Sequence, residues 1–275
     1  EKLRGIQGLS SVNGISNIQA WQKITPDDHG DWLKQRDQSF GKFLVLGDKR
    51  NLSGQIVLFE SYSGGLMTQR DSWCYGPSKQ SVASNMKRMV SFYNSEVERF
   101  KAAHSGLDKK EREEKVDSFI SSESEKISWT RALKQELVKE RQFAFELGCM
   151  TPSLYRPFTK QWLYFSRRFN EMVLQMPRFF PGAGRGNLVI CVSGVGARSG
   201  FSAYISNQVV ERQAVDNGQC FPLYLYDDEP KPTDAQSDIF ATSKPAERTR
   251  RDAITNEGLK HFTDAYPSQC INKED

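Results

Sequence analysis

Between Ser153 and Phe180 the chain reads SLYRPFTKQWLYFSRRFNEMVLQMPRFF, which interleaves basic with aromatic side chains. An arginine can donate two parallel hydrogen bonds to O6 and N7 of a guanine, and arginine and lysine both bind phosphates. Aromatic rings in such a stretch suit the interior of a sheet. The pattern fits three surfaces: a buried sheet with a solvated edge, a peptide groove, and a surface that meets nucleic acid.

The basic character extends beyond this stretch. Thr151 to Val215 holds eight basic and two acidic residues, whereas Asp227 to Asp275 holds seven basic and eleven acidic ones, within a chain of net charge +4. Arg185 in GAGRGN and Arg198 in GVGARSG lie on glycine-rich turns, which let a backbone approach a ligand closely. For any single arginine, a surface ion pair is about as good an interpretation as a ligand contact. The candidate binding cations are Arg156, Lys160, Arg167, Arg168, Arg178, Arg185 and Arg198.

Residue patterns of catalytic sites are missing from the sequence. Glu113 to Lys115 matches the ExK pattern of nucleases, but it lies in a mixed-charge run that favours a solvated helix face. The glycine-rich turns match neither a dinucleotide fingerprint nor a P-loop. His29, His104 and His261 lack metal-ligand spacing. We therefore predict no catalytic residue, cofactor site or metal site in this chain.

The composition indicates a globular protein. Hydrophobic residues make up 37% and aromatic residues 11% of 275 residues, a length that allows a sizeable core. The five cysteines are widely separated and form no CxxC pair, which favours a reducing cytoplasm. No apolar run is long enough to span a membrane.

The hydrophobic periodicity predicts an α+β fold with a mixed or mostly antiparallel sheet, several packed helices and two long helices near the middle of the chain. The helices are expected at 79–100, capped by Ser78, and at 129–140. A hairpin is predicted from strands at 43–47 and 55–63, and further strands from QWLYFS, NLVICVSG, FSAYIS and CFPLYLY. The rings expected in the sheet core are Tyr155, Phe158, Trp162, Tyr164 and Phe165.

Several segments in a fixed order support a family resemblance. TPDDHGDWLKQRDQSF, DSWCYGPSKQSVASNMKRMVSFYN, KISWTRALKQEL, SLYRPFTKQWLYF, GQCFPLYLYDDE and RRDAITNEGLKHFTDAYP follow one another along nearly the whole chain. Together they resemble the C-terminal part of the type ISP restriction–modification enzymes, single-polypeptide relatives of type I systems that are often described as predicted helicases. The sequence departs from some members at Gly76, where they carry Asn, and at Thr159, where they carry Asp.

The resemblance implies residues 1–40 as the tail of a methyltransferase region with a linker, and 41–275 as a target-recognition domain cut short at its C-terminus. It implies sequence-specific recognition of double-stranded DNA that positions an adenine methyltransferase and licenses cleavage. The partners would be DNA and the methyltransferase and helicase-like domains of the same polypeptide, without a membrane. S-adenosylmethionine, ATP and Mg would belong to those other parts.

Under this reading Arg185 and Arg198 would enter a DNA groove, whereas Arg167 and Arg168 would meet phosphates. Secondary phosphate contacts would come from Lys87, Arg88, Lys134 and Lys139. The alternative is a structural module that docks the methyltransferase and helicase parts. A nuclease built on Glu113 and Lys115 ranks last.

Overall fold

The computed structural model describes residues 24–28, 30–33, 35, 39–49, 54–182, 185–228 and 248–274. The chain divides into two compact units, Glu1–Leu44 and Val45–Asp275. The first unit includes a turn in which Gly30 N donates to Asp27 O at 2.9 Å, and a 3-10 turn at Phe40–Lys42. The predicted assignment of residues 1–40 to a methyltransferase region stays a prediction.

The helices of the second unit largely follow the apolar periodicity. The predicted helix at 79–100 is confirmed as Lys79–Ala103, with the Ser78 side chain accepting from Ser81 N at 3.1 Å. The helix predicted at 129–140 is shorter and covers Arg131–Val138. A separate helix follows Gly106, because Asp108 and Glu111 cap each other's backbone N–H. The helices are α1 Asp71–Cys74, α2 Lys79–Ala103, α3 Lys109–Phe119, α4 Arg131–Val138, α5 Met176–Phe179 and α6 Asn256–Ala265.

Three sheets form within the described ranges. One is antiparallel with the order β1-β8-β5-β6, one pairs β9 with β10, and one is mixed with the order β2-β4-β3-β7, in which β3 and β7 run parallel. The α+β class is therefore confirmed. The strands are β1 Ser63–Gly64, β2 Tyr75–Gly76, β3 Met150–Arg156, β4 Thr159–Tyr164, β5 Val189–Val192, β6 Ala203–Ser206, β7 Val209–Val210, β8 Gln219–Pro222, β9 Tyr224–Asp228 and β10 Arg248–Asp252.

The predicted hairpin of 43–47 with 55–63 is wrong. Val45 and Val57 instead form an isolated parallel bridge, and Phe59 bridges Ile254 from the C-terminal part in antiparallel fashion. The alternation of apolar residues predicts extended chain correctly, but it does not say which segment lies beside it. The ring of Phe59 is buried against that of Phe221, with the ring centroids 5.3 Å apart. The two segments still lie side by side, because Leu58 N donates to Val45 O at 2.9 Å, but they run parallel.

The core lies between α2 and the mixed sheet. Tyr164 is buried as predicted, and Tyr155, Trp162 and Phe165 pack partly buried against the same cluster. Phe158 is a correction, because 88% of it is exposed. It occupies the two-residue turn between β3 and β4 with φ +58°, where its side chain points away from the sheet core. None of the described helices is long and apolar enough to cross a membrane.

Candidate nucleic-acid interface

A basic cleft of about 820 Å³ opens on the second unit. Its walls come from the start of α2, the strands β3 and β4, the chain around α5, the turn between β6 and β7, and the start of β10. Its cations are Lys79, Arg167, Arg185 and Arg248, and its rings are Trp162, Phe165 and Phe180. The described residues that line it include no aspartate or glutamate. The cleft therefore combines positive charge with apolar ring surface.

Lys79 occupies an unusual position for a cation. It is the first residue of α2, directly after the N-cap Ser78, where the helix dipole favours negative charge. Its ammonium lies 5.5 Å from the centroid of the Trp162 ring on β4. Lys79 therefore departs from the local preference of the helix, a kind of departure that is expected at functional sites.

Arg167 projects from the turn that follows β4. Ser166 N donates to Asn170 Oδ1, and Asn170 N donates to Ser166 O, both at 2.8 Å, so the buried Asn170 fixes this turn. Arg167 is exposed and, within the described ranges, its side chain makes no ion pair or hydrogen bond. Its charge is thus available to a ligand in the cleft.

Arg185 and Arg248 also line the cleft, and a hydrogen bond joins them. Arg185 Nη1 donates to Arg248 O at 2.6 Å, and its guanidinium lies 5.9 Å from the Tyr226 ring. Arg248 donates from Nη1 to Pro177 O at 2.6 Å and from Nε to Asp228 at 2.7 Å. These bonds orient both side chains and leave other N–H donors of each guanidinium for a ligand.

Three candidate cations are engaged in ion pairs. Arg156 contacts Glu211 at 2.5 Å, and Arg178 contacts Asp227 at 2.5 Å. Arg168 contacts Glu136 at 3.5 Å and lies 5.6 Å from the Phe143 ring. Burial raises the pKa of Glu211 to about 7, while the guanidinium of Arg156 favours its charged form. For these arginines the structure agrees with the ion-pair interpretation.

Lys160 and Arg198 are exposed outside the cleft. Lys160 lies on β4, and Arg198 lies in the loop between β5 and β6. Neither forms a salt bridge with a described residue. The structure thus brings Arg167 and Arg185 together in the cleft and places Lys160 and Arg198 elsewhere on the surface.

Among the secondary cations, Lys134 pairs with Asp117 at 2.6 Å and Lys139 with Glu136 at 2.9 Å. Lys87 lies 5.3 Å from the Phe145 ring, and Arg88 lies 5.5 Å from the Trp73 ring. Each of these four side chains therefore already contacts another residue of the domain surface.

Two cleft cations are not among the candidates that the sequence predicts. The sequence predicts Lys79 only as the first residue of a helix, and its position beside the N-cap is the available signal. Arg248 lies in the segment Asp227 to Asp275, whose net charge is negative, so a sum of charges over that segment gives no sign of a basic site. Arg248 is the first residue of β10, and the pairing of β10 with β9 places it at the basic cleft.

Among the described residues no cluster of histidine, cysteine, aspartate or glutamate is arranged to hold a metal ion. Glu113 and Lys115 both lie exposed on α3. A cleft with cations and rings but no carboxylate is typical of surfaces that bind polyanions.

The family model of the Type ISP C-terminal specificity domain matches residues 57–275. The chain belongs to this family, as the order of its sequence segments predicts. A comparison with curated proteins finds no significant match.

Solved structures agree with this assignment. One is a nuclease-deletion mutant of the Type ISP restriction–modification enzyme LlaGI in complex with a DNA substrate mimic. It is 29% identical to this chain with a TM-score of 0.72, and the match covers 92% of this chain and 21% of the LlaGI chain. The cryoEM structure of a DrdV–DNA complex is 26% identical, with a TM-score of 0.73 over 95% and 23%.

The ATP-dependent Type ISP enzyme LlaBIII bound to DNA is 27% identical, with a TM-score of 0.69 over 96% of this chain and 15% of its own. The present chain thus spans less than a quarter of the length of each of these proteins.

Proposed function

We propose that this chain recognises a specific sequence in double-stranded DNA on behalf of a restriction–modification polypeptide. The observation that carries the proposal is the basic cleft, whose described walls hold four cations, three aromatic rings and no carboxylate. Such a surface attracts the phosphate backbone and does not repel it at any lining residue. The DNA complexes of LlaGI, DrdV and LlaBIII support the choice of DNA as the polyanion.

The cations divide into two roles by their surroundings. Lys79, Lys160 and Arg167 are exposed or lie over a ring, and as mobile charges they suit phosphates, whose contacts position a protein without reading sequence. Arg185 is held by Arg248 O, and a fixed guanidinium suits a bidentate contact with a guanine. Arg156, Arg168 and Arg178 would contact DNA only with their ion pairs retained or exchanged.

In this proposal the chain is not itself catalytic. It positions an adenine methyltransferase of the same polypeptide on the target and licenses cleavage by the other domains. S-adenosylmethionine, ATP and Mg would bind in those parts. The adenine would be flipped out of the duplex for methylation, as enzymes that modify bases require.

The salt dependence of duplex binding tests the proposal. We expect the affinity for a duplex to fall steeply with salt, because each phosphate contact contributes a slope of about −0.9 in log K against log[salt]. A Lys79→Ala/Arg167→Ala double variant should reduce that slope by about two contacts. Arg131→Ala, which removes an exposed arginine of α4 that does not line the cleft, is the matched control and should leave the slope unchanged.

A docking module is the second candidate function. The observation in its favour is an apolar sheet face, where Ile190 on β5 and its partner Ile205 on β6 are 39% and 70% exposed. A protein-docking domain would bind duplexes with a weak salt dependence that the cleft substitutions do not change. That outcome would favour docking over DNA recognition.

A further inference from the structure

The ten residues 193–202, here the β5–β6 loop, form a closed and ordered hairpin connection. Ser193 N donates to Ser202 O at 3.0 Å, and Ser202 N donates to Ser193 Oγ at 2.9 Å, which closes its base. Ala197 N donates to Gly194 O at 3.1 Å, and Gly196 has φ +83°, so the tip is a tight turn. Arg198 is the one charged residue in the loop sequence.

Asp216 braces this loop from outside. Its Oδ2 accepts from Arg198 N at 2.6 Å, from Ser199 N at 2.9 Å and from Ser199 Oγ at 2.9 Å. Its backbone carbonyl accepts from Gly194 N at 3.2 Å. These hydrogen bonds lower the pKa of Asp216, so the carboxylate stays charged and the brace persists at neutral pH.

The chain around Asp216 is shaped for this contact. Asp216 and Asn217 have φ +35° and +55°, a backbone conformation that residues other than glycine rarely adopt. A Cβ on Gly194 would lie 2.0 Å from Asn217 O, so the two segments meet at the closest approach that a glycine allows. Aspartate and asparagine are the residues besides glycine that adopt this positive-φ conformation most often, so the sequence suits the turn that brings Asp216 against the loop.

The braced loop exposes apolar side chains beside its arginine. Val195 is 91% exposed and Phe201 is 81% exposed, on either side of the exposed Arg198. Single exposed apolar residues are common. Two of them on a short loop that is held by several hydrogen bonds indicate a rigid tip prepared for a partner.

We propose that Asp216 is a positioning residue, which holds the β5–β6 loop so that Arg198 enters the major groove of duplex DNA and reads a guanine. Val195 and Phe201 would contact the groove beside it, where the thymine methyl group offers an apolar surface. This inference rests on the proposed function and adds its reading element. The brace fixes the backbone from which the Arg198 side chain extends, and holding the loop in place before binding lowers the conformational entropy that is lost on association.

The test is selection from a random duplex pool by the chain and by its variants Arg198→Ala, Asp216→Ala and Asp216→Asn. At one base pair of the recovered motif we expect the preference for guanine to fall roughly 5- to 150-fold in Arg198→Ala. Asp216→Ala should weaken the preference for guanine at the same base pair. Asp216→Asn should weaken it less, because the amide oxygen of asparagine can still accept hydrogen bonds.

Affinity for a non-target duplex separates positioning from general damage. In Asp216→Ala the affinity for a non-target duplex should remain unchanged or increase, because a negative charge near the DNA has been removed. Amide exchange at Arg198 and Ser199 should quicken in the same variant. Asp264→Ala, which removes an exposed aspartate of α6, is the matched control. If Asp216→Ala unfolds, Asp216→Asn and Ser199→Ala carry the test, since each removes only part of the brace.

Two failures are distinguishable. A motif that is recovered by the wild type and is unchanged in Arg198→Ala and in the Asp216 variants overturns the reading loop and leaves the proposed function standing. Absence of any duplex binding by the wild type overturns the proposed function and this inference with it.

Discussion

Arg185 donates from Nη1 to the backbone carbonyl of Arg248 at 2.6 Å, which ties the loop before β5 to the first residue of β10. Arg248 in turn donates to Pro177 O and to Asp228, so its backbone and side chain belong to one fixed wall of the basic cleft. The orientation of Arg185 therefore depends on a residue 63 positions away in the sequence.

This arrangement predicts that Arg185→Ala and Arg248→Ala are coupled. Each single variant should weaken duplex binding. The double variant should lose less than the sum of the two, because the Arg248 side chain, bonded to Pro177 O and Asp228, anchors the strand whose carbonyl holds Arg185. Fluorescence anisotropy with a labelled duplex, in a double-mutant cycle, measures the coupling. Additive losses would mean that the two guanidinium groups act independently.

Arg185→Lys gives a second prediction at the same wall. A lysine retains the charge but lacks the planar pair of donors, so it should keep non-specific duplex affinity and lose base preference. Selection from a duplex pool, alongside anisotropy at two salt concentrations, separates the two effects. Retained base preference would place Arg185 among the phosphate contacts.

Arg156 and Glu211 predict a pH-dependent stability. Burial raises the pKa of Glu211 to about 7, above its value in the unfolded chain, so ionisation of this group weakens the folded state as pH rises through about 7. The guanidinium of Arg156, whose Nη1 lies 2.5 Å from Glu211 Oε2, stabilises the ionised carboxylate and offsets part of that loss. Arg156→Ala should therefore destabilise the protein more at pH 8 than at pH 5, by about 1–3 kcal/mol at pH 8, since the arginine is partly exposed.

Urea unfolding at the two pH values measures this difference. Adding Glu211→Gln to Arg156→Ala is the control, because an amide in place of the carboxyl cannot ionise and should abolish the extra loss at pH 8. An equal loss at both pH values would contradict the account of this pair.

Leu163 and Phe158, on a strand and in its adjoining turn, predict losses of stability of very different size. Leu163 on β4 is fully buried, and Leu163→Ala should cost about 2–5 kcal/mol through lost apolar burial and a cavity. Phe158 in the adjoining turn is 88% exposed, and Phe158→Ala should cost less than about 0.5 kcal/mol. Thermal and urea unfolding of both variants tests this contrast. A loss in Phe158→Ala as large as that in Leu163→Ala would mean that Phe158 belongs to the core.

The cysteines predict an order of chemical labelling. Cys191 and Cys220 face each other across β5 and β8 with their sulfur atoms 3.3 Å apart, and both are fully buried. The hydrogen bond with Cys191 and burial raise the pKa of Cys220, and a thiol reacts through its thiolate. Iodoacetamide should therefore modify the exposed Cys270 first, and Cys191 and Cys220 only on unfolding.

Mass spectrometry of the alkylated chain, with Cys270→Ser as control, follows this order. Labelling of Cys191 or Cys220 as fast as Cys270 in the native protein would contradict the buried pairing.

Local signals in the sequence predicted the helices well. Ser78 and the stripe from Val82 to Phe100 define α2, because capping and a 3.6-residue apolar period are local properties of the chain. The strand-like segments were also found by their composition. The predicted strand pairing is wrong, because Val57 and Phe59 have partners on two different segments. A strand's own sequence indicates that it is extended but does not indicate which segment pairs with it.

The candidate site was predicted only in part for the same reason. Composition identified the basic region, and of its seven candidate cations the cleft brings together Arg167 and Arg185. It could not separate them from Arg156, Arg168 and Arg178, because ion pairs with Glu211, Glu136 and Asp227 depend on tertiary structure. Lys79 and Arg248 enter the cleft through α2 and β10, far from the basic stretch in sequence.

Selection of targets from a random duplex pool by the wild-type chain, at two salt concentrations, tests the central claim most directly. If the chain recognises DNA, we expect an asymmetric motif that contains at least one guanine and whose enrichment weakens as salt rises. Recovery of no motif, with binding that does not respond to salt, would contradict DNA recognition and leave the apolar face of Ile190 and Ile205 as the working surface of the domain.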